Sequence, residues 1–374
     1  MGSKILLKKA APETGAEIRR IIMEFWSATA RALSPYTPGE QPRIEGLVKL
    51  NTNECPLPPS PHALAAMRDA ATDALRLYPD PESLALREAL ARHHGLKAEN
   101  VFVGNGSDEV LAHVFVALLK HERPLLFPDV TYSFYPVWAG LYDVNYQTVA
   151  LDEAMRLRVD DYRRNEAGAI IFANPNAPTG IALPRDEIAR LLEQHADIPV
   201  IVDEAYVDFG GETAAPLIAA HPNLLVVRTF SKSRALAGLR VGYALGQPSL
   251  IDALTRVKNC FNSYPLGRIA QAGAIASVED DSYFQASVKT IVAERERMTA
   301  QLRELGFSVL PSSANFIFAR HQIASGAELA KALRERAVLV RHFNAPRIED
   351  YLRITIGTTE QTDKLVAALR AILA

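Results

Sequence analysis

Four polar motifs in this sequence combine residue types that could carry out chemistry, and the first contains a lysine. Lys232 follows the apolar run Leu224–Val227 after a short polar stretch, and Ser233 comes directly after it. If the apolar run is a buried strand, the lysine stands at the mouth of an apolar site. Desolvation there favours the neutral, nucleophilic amine that Schiff-base chemistry requires. A lysine considered alone is more often a solvated surface residue.

A carboxylate ends a second apolar run. Pro199–Val202 leads directly into Asp203, and Tyr206 follows in the same motif. An aspartate at the end of a buried strand needs a cationic or donor partner, because burial disfavours its charged form. That partner is either a bound cationic group or a structural arginine, and the sequence leaves both interpretations open.

Two loops follow other apolar runs. Val101–Gly104 leads into Gly106, Ser107 and Asp108 at the predicted start of a helix, where free backbone N–H groups favour an anion. The same residues could serve only as a helix cap. The segment Asn174–Gly180 contains two X-Pro bonds, which predict a rigid turn in which one bond could be cis. A purely structural turn is the alternative.

The four motifs are individually weak and become specific in combination. They supply an anion site, a rigid turn, a buried carboxylate and a lysine, each after a predicted strand of one chain region. Pyridoxal phosphate requires a phosphate cradle, a carboxylate for its pyridinium nitrogen and a lysine for its aldehyde. The combination therefore predicts pyridoxal 5'-phosphate as the cofactor.

The elements that must position these motifs alternate between helix-like and strand-like segments from about residue 62 to 275. Helices are predicted at Pro61–Leu75, Glu82–His94, Asp108–Lys120 and Pro184–His195. Short apolar runs suited to strands buried on both faces lie at Val101–Gly104, Pro124–Phe127, Gly168–Asn174, Pro199–Asp203, Leu224–Phe230 and Leu239–Leu245. This alternation predicts an α/β domain with a mostly parallel sheet, whose ligands bind beyond the carboxyl ends of the strands.

The pattern changes near residue 280, where a long helix is predicted over Asp281–Leu305. After it come short strands at Phe307–Leu310, Asn315–Ala319, Val338–Arg341 and Leu352–Ile356, with helices at Gly326–Arg336 and Thr362–Leu373. We therefore predict a smaller α+β domain over 280–374 and a large domain over 62–279. Residues 34–61 are rich in proline, which predicts an extended arm rather than a regular sheet strand, and we expect this arm to belong with the small domain. Residues 1–33 are predicted to form an N-terminal extension or a helix.

Composition narrows the class of protein. With 374 residues the chain is long enough for about two domains, and its 48% hydrophobic content is that of a core-forming globular chain. A net charge of −2 argues against nucleic acid as the main partner. No apolar stretch is long enough to span a membrane, and no signal peptide is recognisable. Two cysteines, Cys55 and Cys260, favour a reducing compartment, which predicts a cytoplasmic protein. No cluster has metal-ligand spacing, so we expect no metal site.

Longer motifs carry a resemblance to a known family. FANPNAPTG, VDEAYVDF and RTFSKSRALAGLRVGYALG resemble fold-type I pyridoxal-phosphate aminotransferases. KLNTNECPLPPSP, YPDP, GNGSDEVL, PDVTYSFYP and LVRHFNAPRIEDYLRITIGT are similar to the histidinol-phosphate aminotransferase branch, and the match extends from about residue 34 to 374. The resemblance implies a seven-stranded, mostly parallel sheet in the large domain and a homodimer.

The resemblance also implies roles for individual residues. Lys232 forms the Schiff base and later shuttles the Cα proton, Asp203 pairs with the pyridinium nitrogen, and Tyr206 donates to the phenolic oxygen O3′. Tyr132 stacks on the pyridine ring. The phosphate is expected to be held by Gly106, Ser107, Ser231 and Arg240, and Asp108 is a further expected cofactor contact. Tyr78 is expected to reach the phosphate of the other subunit's cofactor.

Substrate contacts are implied by the same motifs. Arg353 takes the substrate α-carboxylate, for which a bidentate guanidinium is suited. Arg341 offers a second guanidinium for a phosphate, although it could instead pair with Glu349 or Asp350 as a structural residue. Tyr36 and Asn51 of the arm are expected to contact the substrate. The family often has asparagine where this chain has Ala177, and Asn176 is expected to substitute for it.

The expected activity is transamination between histidinol phosphate and 2-oxoglutarate, which is reversible and yields imidazole-acetol phosphate and L-glutamate in histidine biosynthesis. Alternatives on the same scaffold are an aromatic amino-acid aminotransferase and a phosphothreonine decarboxylase. A pyridoxal-phosphate-binding regulatory protein without turnover is a further alternative, against which the presence of Lys232 and Asp203 argues.

Overall fold

The structure is a computed structural model that describes residues 25–163 and 166–374. Its strands are β1 (Val48–Leu50), β2 (Val101–Gly104), β3 (Leu125–Pro128), β4 (Tyr146–Val149), β5 (Ala169–Ala173), β6 (Val200–Asp203), β7 (Leu224–Thr229), β8 (Gly242–Gly246), β9 (Phe307–Val309), β10 (Phe316–His321), β11 (Val338–His342) and β12 (Tyr351–Thr355). Its α-helices are α1 (Ala28–Ala32), α2 (Pro61–Asp69), α3 (Leu84–His94), α4 (Gly106–Val114), α5 (Phe134–Tyr142), α6 (Arg185–Gln194), α7 (Pro248–Phe261), α8 (Arg268–Glu279), α9 (Asp281–Glu304), α10 (Gly326–Glu335) and α11 (Thr359–Leu373). The predicted N-terminal extension lies largely outside the described residues.

The larger sheet has seven strands in the order β2-β8-β7-β6-β5-β3-β4. All neighbouring pairs are parallel except those of β8, which runs antiparallel to β2 and β7. The prediction of a seven-stranded, mostly parallel α/β sheet is confirmed. The strands β5, β6 and β7 are buried along their whole length, as expected of a sheet covered by helices on both faces.

One strand of this sheet was not recognised from the sequence. β4 lies at the sheet edge, and three of its four residues are exposed. An edge strand in which only Val149 is buried lacks the apolar run that identified its neighbours. Strand β8 was recognised, but its antiparallel direction was not, because direction depends on the connection after β7 rather than on composition.

The smaller sheet has five strands in the order β1-β11-β12-β10-β9. Its first strand corrects a prediction: Val48–Leu50 of the proline-rich arm is not merely extended but pairs in parallel with Val338–Val340 of β11. A strand of only three residues is invisible to periodicity, and its partner is almost three hundred positions away in the chain. The domain boundaries at 61/62 and 279/280 stay predictions.

Apolar side chains form a separate core on each side of the large sheet and another against the small one. The first large-sheet core joins α3, α6 and α8 to one face, and the second joins α4, α5 and α7 to the other. The long helix α9 packs Ile291, Met298 and Leu302 against the small sheet. Within the described part of the chain, no helix is long and apolar enough to cross a membrane. This layering leaves the carboxyl ends of β5, β6 and β7 facing the small sheet.

Candidate active site

A cavity of about 480 Å³ opens at the carboxyl ends of the parallel strands. Ala173, Asp203 and Thr229, which end β5, β6 or β7, contribute to its wall, and the arm and the small sheet close the other side. Among the predicted site residues its wall contains Tyr36, Asn51, Ser107, Asp108, Tyr132, Asp203, Tyr206, Ser231, Lys232, Arg240, Arg341 and Arg353. Residues dispersed over more than three hundred positions therefore meet in one space.

One corner of the cavity is built for an anion. Helix α4 begins there, and no side chain of the described residues caps its first turn. Arg240 donates from Nη2 to the Asp108 carboxylate at 2.9 Å and from Nη1 to the Ser231 hydroxyl at 3.5 Å. The Tyr132 hydroxyl donates to the other Asp108 oxygen at 3.1 Å. A helix N-terminus, a guanidinium and a hydroxyl thus face the same space, as a phosphate site requires.

Two glycines let the backbone close up around this corner. Gly106 adopts a left-handed φ of +80°, and a Cβ there would lie 2.5 Å from Nη2 of Arg240. Gly242 of β8 packs so closely beneath the start of α4 that a Cβ would lie 2.2 Å from the backbone nitrogen of Ser107. These positions require glycine because the helix, the strand and the arginine share one small volume.

Asp203 lies at the bottom of the cavity with no cation paired to it among the described residues. The Tyr135 hydroxyl donates to Oδ2 at 3.2 Å, and the backbone N–H of Ala205 donates to Oδ1 at 3.2 Å. Burial raises the pKa of this carboxyl from 3.8 to about 6, although both hydrogen bonds oppose the shift. The alternative of a structural arginine is not borne out: Arg228 contacts Glu204 and Asp208 instead. The carboxyl is therefore available to a cationic group in the cavity.

Lys232 lies on the opposite wall, against a segment of the arm. Its ammonium donates to the backbone carbonyl of Thr52 at 3.2 Å and lies 5.7 Å from the centroid of the Tyr206 ring. The next arm residue, Asn53, donates from Nδ2 to the Tyr206 hydroxyl at 3.0 Å. Asn53 is buried with a left-handed φ of 57°, and Thr355 and Asn315 of the small-sheet region bind it from behind.

Two arginines reach the cavity from neighbouring strands of the small sheet. Arg341 of β11 and Arg353 of β12 are direct partners in the antiparallel register. Arg353 donates to the carbonyl of Asn51 at 2.9 Å and Arg341 to that of Thr37 at 3.2 Å, and neither has a carboxylate partner among the described residues. Burial lowers the pKa of Arg353, and the neighbouring Arg341 adds to this effect. Two guanidiniums that face one cavity favour a substrate with more than one anionic group.

Three predicted site residues lie outside the cavity wall. Gly106 is behind it, beneath Arg240. Tyr78 is 78% exposed on the surface, where its ring stacks on Tyr264. Asn176 holds its own turn together, donating to Val130 and Thr179 and accepting from Thr131, so its amide is fully used away from the cavity.

The Asn176 prediction is thus not supported by its position. Ala177 lines the wall instead, in a turn where both X-Pro bonds are cis. Reading the sequence also missed Thr52, Asn53 and Tyr135 as site residues. The first two belong to the quoted LNTNEC segment and Tyr135 to PDVTYSFYP, so the motifs pointed to the right regions without indicating which side chains turn inward.

Comparison with known proteins places this cavity in context. The profile of the family described as "Aminotransferase class I and II" matches residues 45–369. The chain belongs to this family. The fold is that of the fold-type I aminotransferases, as predicted.

Individual members of the family are closely similar to the chain. It is 63% identical over 349 residues to histidinol-phosphate aminotransferase 1 of Bradyrhizobium diazoefficiens, covering 93% of this chain and 99% of that protein. It is 59% identical over 353 residues to histidinol-phosphate aminotransferase of Aromatoleum aromaticum, covering 94% and 99%. Among solved structures it resembles histidinol-phosphate aminotransferase from Sinorhizobium meliloti in complex with pyridoxal-5'-phosphate, with a TM-score of 0.79, 27% identity and coverage of 87% and 90%.

Proposed function

We propose that this protein is a pyridoxal-phosphate-dependent aminotransferase that exchanges the amino group between histidinol phosphate and 2-oxoglutarate in histidine biosynthesis. The observation that carries the proposal is the meeting in one cavity of Lys232, Asp203 and two arginines that have no carboxylate partner within residues 25–163 and 166–374. The 63% identity to a relative with this activity in its name supports the same conclusion.

The described residues fit the cofactor. The anion corner at the start of α4 suits its phosphate, and the Asp203 carboxyl, whose pKa burial raises to about 6, suits its ring nitrogen. When bound, pyridoxal phosphate supplies an aldehyde for amino-group exchange and a ring that delocalises the charge left by loss of a proton. Tyr132 borders the same space and offers a ring face for stacking.

The chain itself supplies positioning and proton transfer. Lys232 is the residue that would hold the cofactor's aldehyde, and its free amine would move the substrate proton as a general base. Asp203 keeps the ring nitrogen protonated, which stabilises charge that develops in the transition state. Tyr206 lies beside Lys232 and donates its hydroxyl to the cofactor's phenolic oxygen, while Asn53 orients that hydroxyl.

The two arginines recognise different anionic groups on the two substrates. Glutamate brings an α-carboxylate, for which Arg353 is suited, whereas histidinol phosphate has no carboxylate and carries a phosphate instead. Arg341 gives that phosphate a second guanidinium. Tyr36 and Asn51 border the same space from the arm and complete the substrate pocket. An aromatic amino acid has no distal anion that would need Arg341.

The enzyme is proposed to work as a homodimer. Six large apolar side chains from residues 75–84 and 261–264 are exposed, and we call them the Tyr78 face: Leu75, Leu77, Tyr78, Leu84, Phe261 and Tyr264. The two segments meet where the rings of Tyr78 and Tyr264 stack, and exposed apolar side chains of this kind are typical of an interface. In a dimer built on this face Tyr78 reaches the cofactor of the partner subunit. Two cysteines without a disulfide favour the cytoplasm.

The substrate assignment is tested by Arg341→Ala with two amino donors. We expect the KM for histidinol phosphate to rise about tenfold or more, since a hydrogen bond to a charged group is worth about 1.5–3 kcal/mol. Turnover of phenylalanine or tyrosine should change much less. Equal losses on both classes of donor would refute the phosphate role of Arg341. Wild-type enzyme that prefers the aromatic donors would refute the proposed substrate.

A further inference from the structure

The side chains directly after the two central residues of the site are joined by one buried charge network. Glu204 follows Asp203, and Ser233 follows Lys232. Between them lie Arg228 of β7 and Asp208 of the short 3₁₀ helix Val207–Phe209. None of these four lies in the cavity wall. We call Glu204, Asp208, Arg228 and Ser233 the buried charge network.

The bonds of this network are continuous. The guanidinium of Arg228 contacts the Asp208 carboxylate through Nη2 and lies 3.6 Å from the Glu204 carboxylate through Nε. The Ser233 hydroxyl donates to the second Asp208 oxygen at 2.5 Å. The same Glu204 oxygen, Oε2, accepts from the hydroxyl of Thr213 at 2.7 Å, and Oε1 accepts from the backbone N–H of Ala214 at 2.5 Å. The side chain of Glu204 is fully buried, and that of Arg228 is 8% exposed.

The two residues that the network serves are held in place very differently. Asp203 is the last residue of β6 and has direct strand partners on both sides, Ala173 and Val227. Lys232 lies beyond the end of β7, which stops at Thr229, so no strand pairing holds it. The hydrogen bond from Ser233 therefore ties the lysine loop to Asp208 of the 3₁₀ helix that follows β6, and the Asp208–Arg228 ion pair ties that helix to β7 of the sheet.

We propose that the buried charge network, acting through the Ser233–Asp208 hydrogen bond, is a positioning device that fixes Lys232 relative to Asp203. The proposal rests on the proposed function, in which the cofactor is held at its aldehyde by one residue and at its ring nitrogen by the other. A ring held at two points requires a fixed separation between them, because small displacements of catalytic groups are costly in rate. Buried, fully bonded polar networks provide such rigidity.

The network also explains why charged groups are largely withdrawn from water here: the side chains of Glu204 and Arg228 are buried, and that of Asp208 is 24% exposed. An arginine flanked by two carboxylates carries a large desolvation penalty that apolar residues would avoid. Burial is the largest influence on the carboxyl of Glu204 and raises its pKa to about 7, although Arg228 opposes the shift. The task of holding Lys232 at a fixed position relative to Asp203 is a reason to keep these charged side chains beside the active site despite their desolvation penalty.

The test is Ser233→Ala in the cofactor-loaded enzyme, which removes one hydroxyl and leaves the ion pairs in place. We expect kcat to fall about three- to tenfold with the KM for glutamate unchanged within about twofold, as for an interaction that matters only in the chemical step. The visible circular dichroism of the bound cofactor should weaken, and the cofactor should dissociate faster. Ser233→Thr, which keeps a hydroxyl, should restore all three properties.

The chain offers a matched control. The hydroxyl of Ser60 donates to the Asp280 carboxylate at 2.5 Å, which is the same pair of side chains at the same distance, and neither residue lies in the active-site cavity wall. Ser60→Ala should lower the melting temperature and leave kcat and the cofactor signal unchanged. If Ser233→Ala behaves like Ser60→Ala, the bond is merely structural and the proposal is wrong. Failure of the proposed function would appear separately, as wild-type enzyme without transamination, because the cofactor signals do not depend on the substrate.

Discussion

At the scale of single residues the chemistry depends on two groups that meet only in the cavity. Lys232 and Asp203 both follow apolar strands, and both face a space that the arm covers. The lysine supplies the amine, and the aspartate supplies a buried negative charge. Each role predicts a different outcome when the residue is changed.

Replacement of the lysine should remove the covalent link to the cofactor. In Lys232→Ala we expect loss of the visible absorbance of the lysine-linked cofactor and of nearly all turnover, because no other group performs both tasks. Absorption spectra of the purified variant, after cofactor is added, provide the measurement. A variant that retains the lysine-linked spectrum would identify another lysine as the anchor.

Replacement of the aspartate should change how stability depends on pH in the cofactor-free protein. The pKa of Asp203 is raised to about 6 in the folded chain, so between about pH 4 and pH 6 the folded state binds the proton more tightly than the unfolded state. Its contribution to stability is therefore lost as the pH rises through that window. Two units of pKa correspond to about 3 kcal/mol.

Asp203→Asn removes this titration. The free energy of unfolding of the cofactor-free variant, relative to wild type, should therefore increase from pH 4 to pH 7 by about 2–3 kcal/mol. Urea unfolding at several pH values measures the difference. The loaded variant should keep its cofactor and lose several orders of magnitude in turnover. A pH-independent difference between the two proteins would show that the folded-state carboxyl titrates normally.

At the scale of elements the site depends on how closely α4 approaches β8. The helix supplies the anion corner only if its first turn lies against Gly242, where a Cβ would lie 2.4 Å from the backbone carbon of Gly106. Backbone atoms cannot move away as the end of a flexible side chain can. The close approach of α4 to β8 therefore depends on the absence of a side chain at Gly242.

We expect Gly242→Ala to displace the start of α4 and to weaken cofactor phosphate binding by at least tenfold, with a loss of stability of about 1–3 kcal/mol from overpacking. Gly140→Ala is the control: this glycine lies within α5 and a Cβ there would meet nothing within 4 Å. Alanine should stabilise α5 slightly, by about 0.5–1 kcal/mol. Cofactor titration and thermal unfolding of both variants test the difference, and equal behaviour would contradict the packing argument.

At the scale of the whole molecule the Tyr78 face argues for assembly. Phe261 is 74% exposed and Tyr78 is 78% exposed, and the backbone carbonyl of Tyr78 accepts from Arg268. Large apolar side chains held in place at a surface are costly in water unless another surface covers them. A second copy of the chain covers them in the proposed dimer.

A charge on this face should separate the subunits. We expect Phe261→Glu to shift the mass in sedimentation from dimer to monomer and to reduce turnover, since each site would lose Tyr78 of its partner. Ile323→Glu provides the comparison, because Ile323 is 93% exposed outside the Tyr78 face. It should leave mass and turnover unchanged. A wild-type protein that sediments as a monomer would refute the homodimer.

The sequence by itself determined the buried strands of the large sheet and the residues at their ends, but not the edge strand β4 or the direction of β8. The runs that form β5, β6 and β7 are buried on both faces, so continuous hydrophobicity marks them, and the position of Asp203 and Lys232 after such runs follows directly from chain order. Local composition was sufficient here because each strand and the polar residue after it are neighbours in the chain.

Tertiary structure alone decided what those residues face. The antiparallel register that sets Arg341 beside Arg353, and the pairing of β1 with β11 that brings Thr52 and Asn53 to Lys232, join segments that are distant in the chain. Such contacts depend on the packing of whole elements, which no local pattern records. The orientation of Asn176 is a further case, because hydrogen bonds with Val130 and Thr131, about 45 positions earlier in the chain, and one to Thr179 in its own turn hold its amide away from the cavity.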